Sequence, residues 1–463
     1  MFNQILGKLG NFWVENNNKK TAPGQINQNN NDFEISFVNV TFNDYDEDYI
    51  LLNGIIENKK LSLIIINDPI KSTQAKVINN TYHIKYLFKG MHYTNKKDIK
   101  FENINIKIDN ISPTISLHTL STNTPKPEIL LMKKPTKKYT ANLNEFILEI
   151  FLKSKSTFGH SSNGEYATFN EEIIIKLNYY NPKSINEVYN HLVKIKDLFT
   201  FLTGKSEIIG LYESSEYNEI NMFFPMMAKT HNRKPQHNPL IHLNENNLEK
   251  IFNNWFKNYK SLNGVYDLYF STIESNLSSE TLFLTYCQIL ESYHRKRYSG
   301  EYVTKEKFED FKSKFTPCAT KMDGLDEIVS KKNKSQFLNK ILNSIKYSYE
   351  FTLKDRLKEL FSEFKGCDLF IKIIDKFTNE ETLEKGIKTY CDIIKDGRNY
   401  YTHYGDEPEH LLKGIEFLEL TDSLNLIIKM IFLKEFGLND SEINNITKNT
   451  KFRFTEYYKI NEI

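Results

Sequence analysis

The sequence predicts an α+β protein of two or more domains, with an antiparallel β-sandwich or barrel-like domain that carries one helix, followed by an all-α domain. Apolar and polar residues alternate in short runs over the first 180 residues, as in half-buried strands. Helical spacing replaces this alternation after residue 243. A chain of 463 residues is also long enough to bury more than one core.

The β-rich domain is predicted to occupy residues 1–243. The segment from Glu15 to Asn31 is rich in Asn, contains Pro23-Gly24 and is predicted to be a loop-like linker. A helix is predicted at 184–202, with Gly204 ending it. Strands are predicted at 33–42, 49–56, 60–67, 82–88, 101–108, 114–120, 126–133, 143–152, 171–178, 208–212 and 219–224.

The all-α domain is predicted to occupy residues 244–463, where strand patterns disappear. Its helices are predicted at 246–260, 265–275, 280–298, 304–314, 336–348, 352–364, 368–376, 380–401 and 408–436.

The charge balance excludes a global polycation. The chain has 61 basic and 59 acidic residues and a net charge of +2, so a nucleic-acid site must be a local patch. Only six of the basic residues are Arg, which makes each Arg informative. Four of them, Arg295, Arg297, Arg356 and Arg398, fall between residues 280 and 400.

The four cysteines are far apart and form no CxxC pair, so neither a zinc knuckle nor a disulfide framework is indicated. The first thirteen residues lack a secretory apolar segment, and no apolar run reaches membrane-spanning length. We therefore expect a soluble cytoplasmic protein without membrane contact.

Three histidines, His231, His237 and His242, lie close together after the last predicted strand. A metal site is one interpretation, but no carboxylate or thiol completes a ligand spacing, and the Pro-containing segment is typical of a linker. The chain also lacks a phosphate-binding Gly loop, an HExxH motif and a GxSxG motif. We therefore expect neither a metal nor another cofactor.

The stretch from Asp396 to Asp406 contains Arg398, Asn399 and, five residues after the Arg, His403. Arg can bind a phosphate with fixed charged donors and His can transfer a proton, which together suit metal-independent cleavage of an RNA backbone. Residues five apart on a helix are rotated by roughly 140°, so the motif is expected to straddle a helix end, with Gly405 as the stop and a new helix starting near Pro408. Alternatively, Arg398 pairs with Asp396 or Asp406 and His403 is simply exposed.

The predicted helix 280–298 supplies a second group of charged residues. Glu291 and Arg295 are four apart and can form an ion pair on one face. Lys296 and Arg297 follow directly and are candidate RNA-backbone contacts, as is Tyr400 near the first motif.

These motifs together resemble a known family. The passage from Leu290 to Arg295 and the passage from Arg398 to His403 resemble the ApeA-like group of the HEPN superfamily. Gly10-Asn11-Phe12-Trp13, followed by Pro23-Gly24 and then strands, is similar to the start of the ApeA N-terminal domain. Gly397 departs from the expected pattern, because a good helix former is more usual before the Arg.

The resemblance implies a metal-independent endoribonuclease that works as an abortive-infection toxin against phage. Arg398 and His403 would be catalytic, Asn399 would support them, and Glu291 with Arg295 would be supporting site residues. The site would form in a homodimer, the β-rich domain would respond to a phage-derived trigger, and the helical domain would cut host RNA, with tRNA as the favoured target.

Two other functions remain open from the residues alone. Arg398 and His403 could hold RNA or a protein partner without catalysis. The β-rich domain could instead bind a ligand such as a carbohydrate, although no paired-carboxylate signature of a glycosidase is present.

Overall fold

The structure is a computed structural model, which describes residues 2–14, 21–29, 32–42, 47–74, 77–112, 114–115, 117, 120–122, 131–133, 138–161, 164–215, 219–227, 239–321, 328–330 and 332–449. The chain forms two compact units, residues 1–257 and residues 258–463. Their division falls inside a helix, whereas the sequence predicted a domain boundary after residue 243. The assignment of a regulatory role to one domain and a nuclease role to the other stays a prediction.

The first unit is rich in strands, as the sequence predicted. Its strands are β1 (Leu9–Val14), β2 (Ala22–Asn29), β3 (Asp32–Val38), β4 (Tyr49–Ile56), β5 (Lys59–Ile66), β6 (Ile70–Gln74), β7 (Val77–Lys89), β8 (Lys100–Ile108), β9 (Leu120–Thr122), β10 (Leu131–Lys133), β11 (Lys138–Asn142), β12 (Phe146–Ser161), β13 (Gly164–Ser184), β14 (Ile208–Ser214) and β15 (Glu219–Phe223). Helix α1 (Ile185–Thr203) follows β13 directly.

Six strands close into an antiparallel barrel in the order β1, β2, β3, β7, β5, β4 and back to β1. Large aromatic side chains fill its interior. The rings of Phe12 and Phe37 meet edge to face at 6.0 Å, and those of Phe37 and Tyr82 at 6.1 Å. All three side chains are almost fully buried, and closure removes the open strand edges that a flat sheet would leave. The predicted barrel-like domain is thereby confirmed.

Strand β7 joins this barrel to an open sheet. One of its edges pairs first with β6 and then with β5, and the other pairs first with β3 and then with β15. The open sheet continues from β7 through β15, β14, β8, β13 and β12 to β11. Helix α1 ends at Gly204, whose φ of 77° is the left-handed conformation that glycine adopts without strain, as the sequence predicted.

The prediction of a loop at residues 15–31 is wrong for most of the residues that the structure describes there, because Ala22–Asn29 forms strand β2. The first two inward-facing residues of β2 are Ala22 and Gly24. They are too small to produce the alternation of large apolar and polar residues by which a strand is recognised in a sequence. Gly24 is required there, since a Cβ would lie 2.7 Å from the Phe37 ring and 3.1 Å from the Phe12 ring. Residues 15–20 lie outside the described residues.

Other strand bounds also differ from expectation. Strands β12 and β13 form a hairpin much longer than the predicted 143–152 and 171–178, and strands β1, β6 and β11 were not predicted. Of the predicted strand 126–133, residues 131–133 form β10 and pair with β9, while the rest lies outside the described part of the chain. His231 and His237 also lie outside it, and the side chain of His242 is exposed.

The second unit is helical, as predicted. The helices are α2 (Leu248–Glu274), which contains the division between the units, α3 (Ser279–Arg297), α4 (Lys305–Thr320), α5 (Lys334–Ser344), α6 (Leu353–Ser362), α7 (Asp368–Phe377), α8 (Leu383–His403), α9 (Gly414–Glu435) and α10 (Asp440–Asn449). No helix in the described ranges has both the length and the apolarity needed to cross a bilayer.

Two helix predictions are wrong. The sequence predicted separate helices at 246–260 and 265–275, but α2 runs through Asn263 and Gly264 because Leu262 and Val265 continue its buried face. The last predicted helix, 408–436, begins only at Gly414, since residues 405–413 are irregular. Helix α10 was not predicted.

We expect Gly24→Ala to destabilise the first unit by about 1–3 kcal/mol, because the added methyl group overpacks two buried rings. Both tryptophans of the chain, Trp13 and Trp255, belong to residues 1–257, so their fluorescence during urea unfolding reports this unit. The control is Gly264→Ala in α2, where a Cβ meets nothing within 4 Å; Gly264 belongs to residues 258–463, so its unfolding is followed by far-ultraviolet circular dichroism. It should be neutral or stabilising, by up to roughly 1 kcal/mol. Equal stability of the Gly24→Ala variant and the parent would contradict this packing effect.

Candidate active site

Helix α8 carries Arg398, Asn399 and His403. It starts at the cap residue Thr382, whose side chain accepts a hydrogen bond from the Lys385 backbone N–H, and it ends at His403. The sequence predicted that the motif would straddle the helix end. Instead, all three residues are helical, and the Arg and His side chains leave the helix roughly 140° apart.

The stop residue also differs from the prediction. Tyr404, not Gly405, adopts the left-handed conformation after the helix, with φ 49° and ψ 42°, and its backbone N–H donates to the Tyr400 carbonyl at 2.6 Å. No helix starts near Pro408, as the irregular segment 405–413 shows.

Close packing explains why position 397 is a glycine, which the sequence alone did not. It is buried, and a Cβ at this position would lie 3.2 Å from Cζ of Phe283 on α3. The absence of a side chain therefore lets the Phe283 ring approach the α8 backbone closely, directly before Arg398. At this position, close packing between two helices requires glycine, although other residues stabilise a helix better.

Arg398 is half-buried, and its Nη1 donates to Oδ1 of Asn399 at 3.2 Å. Neither predicted carboxylate pairs with it, since Asp396 pairs with Lys395 at 3.0 Å and Asp406 is exposed without a partner among the described residues. The other arginines of the described ranges, Arg295, Arg297 and Arg356, all form ion pairs. Within the described chain, Arg398 is therefore the arginine whose charge no carboxylate compensates.

His403 is exposed at the end of α8. Within the described part of the chain, no hydrogen-bond partner fixes its ring. A phosphate or a proton-accepting oxygen can therefore reach either ring nitrogen from solvent, which is the access that a proton-transferring His requires.

The predicted ion pair on α3 is present. Arg295 Nη2 lies 3.1 Å from Oε1 of Glu291, and Arg295 also binds Glu350, which comes from the segment before α6. Glu350 in turn accepts from Nη2 of the buried Arg356 at 3.0 Å. The pair is thus one end of a charge network that extends into the protein.

Arg356 continues this network to His294. Its Nη1 donates to Nδ1 of His294 at 3.2 Å, so the proton of the imidazole lies on Nε2, which donates to Glu359 at 2.7 Å. Gly300, with φ 59°, borders the same place, and a Cβ there would overlap Nη1 of Arg356. Arg356 and His294 were not predicted as a pair, because they lie far apart in sequence.

Lys296 and Arg297 differ in their surroundings. Lys296 is exposed and has no ion-pair partner within the described ranges. Arg297 donates to both carboxylate oxygens of Glu435, from Nε at 2.7 Å and from Nη2 at 2.6 Å, and Tyr293 donates to the same carboxylate. Arg297 has the contacts of a structural ion pair, so the predicted RNA contact gains no support there.

The buried thiol of Cys287 on α3 is affected by charges on both α3 and α8. Burial raises its pKa, the charge of Arg398 lowers it, and the charge of Glu291 raises it. The geometry agrees, because Gly397 packs against Phe283 of α3 directly before Arg398, and Cys287 and Glu291 follow Phe283 at four-residue spacing on the same helix. The structure brings the predicted site residues Arg398 and Glu291 into the same region.

Three tyrosines cluster at the end of α8. Tyr401 is anchored, since its ring lies 4.4 Å from that of Phe417 and its hydroxyl donates to the Leu412 carbonyl at 3.3 Å. Tyr400, a predicted RNA contact, is half-buried, with its ring 5.3 Å from that of Tyr401. Sequence reasoning missed Tyr404, although the density of aromatic residues around His403 was a visible signal.

Two family models match the chain. ApeA N-terminal domain 1 matches residues 7–255, which is more than half of the chain, and Apea-like HEPN matches residues 284–442. The second match contains Glu291, Arg295, Arg398 and His403. Both agree with the resemblance stated from the sequence. Neither the curated proteins nor the solved structures contain a match to this chain.

Acid should weaken the network around His294. Burial, with help from the charges of Arg356 and Arg295, lowers the pKa of His294, while Glu359 acts in the opposite direction. The unfolded chain therefore binds a proton that the folded chain does not. The resulting contribution to the free energy of unfolding is full above about pH 6.5 and is lost as the pH falls below it.

We expect His294→Gln to show a shallower loss of stability between neutral pH and pH 5 than the parent, because the amide can replace both hydrogen bonds without titrating. The measurement is urea unfolding followed by far-ultraviolet circular dichroism. The comparison isolates His294, since His191, whose pKa burial lowers to about 4, is present in both proteins. Identical pH profiles would contradict the prediction.

Proposed function

Because the chain belongs to the family of ApeA-like proteins, we propose that it is an anti-phage endoribonuclease whose site is built on Arg398 and His403. The membership indicates an anti-phage HEPN nuclease module. The finer statements, on chemistry, substrate, partner and trigger, are our proposal.

The proposed reaction is attack of an RNA 2′-hydroxyl on the adjacent phosphorus. A bond forms between the 2′-oxygen and phosphorus, and the bond from phosphorus to the 5′-oxygen breaks. The products are a 2′,3′-cyclic phosphate and a 5′-hydroxyl, without a metal ion. Arg398 stabilises the charge on the non-bridging oxygens, and His403 transfers a proton to or from the reacting oxygens. Asn399 holds the guanidinium through the hydrogen bond to Nη1.

The observation that carries this proposal is the uncompensated charge of Arg398 on the helix that ends at His403. The described arginines of the neighbouring network are neutralised by carboxylates, whereas Arg398 has only a neutral amide partner among the described residues. A half-buried guanidinium without a carboxylate favours an anionic ligand, and phosphate fits its donors.

We propose supporting roles for four predicted residues. Glu291 and Arg295 position the surface of α3 near Arg398, and Lys296, whose amine is exposed, contacts the RNA backbone. Tyr400 is the fourth, as an RNA contact beside the motif.

A second copy of the chain suits the geometry of α8. The side chains of Arg398 and His403 leave one helix roughly 140° apart, so one copy presents few groups on any single face. Two copies across a two-fold axis supply separate acid, base and charge-stabilising groups. A homodimer in the cytoplasm, tRNA as substrate and a phage-derived trigger acting through the β-rich domain complete the proposal.

One observation favours a second function, a non-catalytic RNA- or protein-binding module. His403 has no described partner that orients its ring, whereas a catalytic His is commonly oriented by a third group. In this view Arg398 and His403 only hold phosphate. The wild-type protein would then bind RNA in a salt-dependent way and never shorten it.

We expect His403→Ala to lower RNA cleavage by about 10²–10⁴-fold and Arg398→Ala by about 10²–10³-fold, without loss of the fold. The assay incubates tRNA with each protein in EDTA, with and without lysate of phage-infected cells, and maps new 3′ ends. His410→Ala is the matched control, since His410 is also exposed and lies outside the motif.

Cyclic phosphate ends made by the parent and by His410→Ala, but not by the two motif variants, would support the nuclease. Motif variants that cut at the parental rate would contradict it. RNA that is bound but left intact under every condition would favour the binding module.

A further inference from the structure

The residue that ends α8 is unusual for its conformation. Tyr404 has φ 49°, in the left-handed region that side chains other than those of Gly and Asn rarely adopt. A glycine is available one position later, but Gly405 does not have a positive φ. The helix therefore ends on a residue that opposes this conformation, directly beside one that would accept it.

The side chain placed by this strained backbone points into solvent. Tyr404 is 67% exposed, more than any other Phe, Tyr or Trp residue in the described ranges. Its ring contacts Tyr400 at 5.8 Å and Tyr401 at 6.4 Å, in both cases edge to face. Tyr401 is held by Phe417 and by its hydrogen bond to Leu412, so this exposed ring stands on a fixed aromatic support.

This geometry fits a ligand with a flat aromatic face. Proteins hold unpaired nucleotides with an exposed aromatic ring and cations in the same region, because bases stack on the ring while cations bind the backbone. Tyr404 directly follows His403 and comes six residues after Arg398, the arginine proposed to bind phosphate. Bases inside a duplex are already stacked on each other, so they cannot stack on a protein ring without being extruded.

We propose that Tyr404 is a base-binding subsite, on which an unpaired nucleobase next to the cleaved phosphodiester stacks. The proposal rests on the proposed nuclease function and deepens it, since it assigns the substrate class as single-stranded RNA or an RNA loop. The strained conformation has a role in this view, because it turns the ring outward immediately after His403.

A purely structural role makes the opposite prediction for substitutions. If Tyr404 only ends the helix, Asn and Gly should serve as well or better, because both tolerate the left-handed conformation. If the ring binds a base, Phe should retain function, and Asn should lose it while the fold stays intact. Tyr404→Phe and Tyr404→Asn are therefore the informative pair.

The experiment uses a short single-stranded oligoribonucleotide containing 2-aminopurine, whose fluorescence falls when it stacks on an aromatic ring. The protein is the full chain with His403→Ala, so that the RNA stays uncut. This background protein and its Tyr404→Phe and Tyr404→Asn variants are each titrated with the same oligonucleotide. The control ligand is that oligonucleotide paired into a duplex, and thermal unfolding checks the fold of each variant.

We expect quenching by the background protein, which keeps Tyr404, and by Tyr404→Phe. For Tyr404→Asn we expect no quenching and binding weaker by roughly 5- to 100-fold, at equal or higher thermal stability. The duplex should show no quenching with any of the three. Equal quenching by Tyr404→Asn, equal quenching of the duplex, or no quenching by the background protein would overturn the proposal.

This outcome is separate from the test of the nuclease. Binding is measured in a protein that lacks His403, so it does not depend on cleavage. If the parent cuts RNA and Tyr404→Asn binds and cuts it equally well, the subsite is contradicted and the nuclease is supported. If the parent quenches 2-aminopurine but never cuts RNA, the nuclease is contradicted and a binding site for unpaired bases is supported.

Discussion

The close approach of α3 and α8 at Gly397 is the constraint on which the candidate site depends. The Phe283 ring occupies the space that a side chain at position 397 would need. This contact fixes α8 against α3 one residue before Arg398, and the same face of α3 continues through Cys287 to Glu291. The positions of Arg398 and Glu291 therefore depend on the apolar contact between Phe283 and Gly397.

Charge compensation then divides the arginines by role. Arg295, Arg297 and Arg356 each meet carboxylates, and a buried guanidinium such as that of Arg356 requires such partners because an unpaired buried charge is unfavourable. Their contacts explain how α3, the segment before α6 and the end of α9 are held. Arg398 is only half-buried, so it can remain without a carboxylate until an anion arrives.

The sequence predicted the fold class well where the physics is local. Period-two alternation located most strands, Gly204 marked the end of α1, and the spacing of Glu291 and Arg295 predicted their ion pair.

Prediction failed where the residue that decides the local structure is distant in sequence. Strand β2 presents Ala22 and Gly24 to the barrel because Phe12 and Phe37 come from other strands, and no pattern within β2 shows this. The candidate site shows the same limit, since local preference assigned the end of α8 to Gly405, whereas the structure gives the left-handed position to Tyr404. The network from Arg295 to His294 was equally hidden, because its members Glu350 and Arg356 come from a segment more than fifty residues away.

The contact between Gly300 and Arg356 has an evolutionary consequence. A Cβ at position 300 would overlap Nη1 of Arg356, and the positive φ of Gly300 independently disfavours a side chain there. A larger residue at position 300 therefore requires that the Arg356 side chain shifts or is replaced and that the turn changes. Among relatives that keep this fold, positions 300 and 356 should therefore covary.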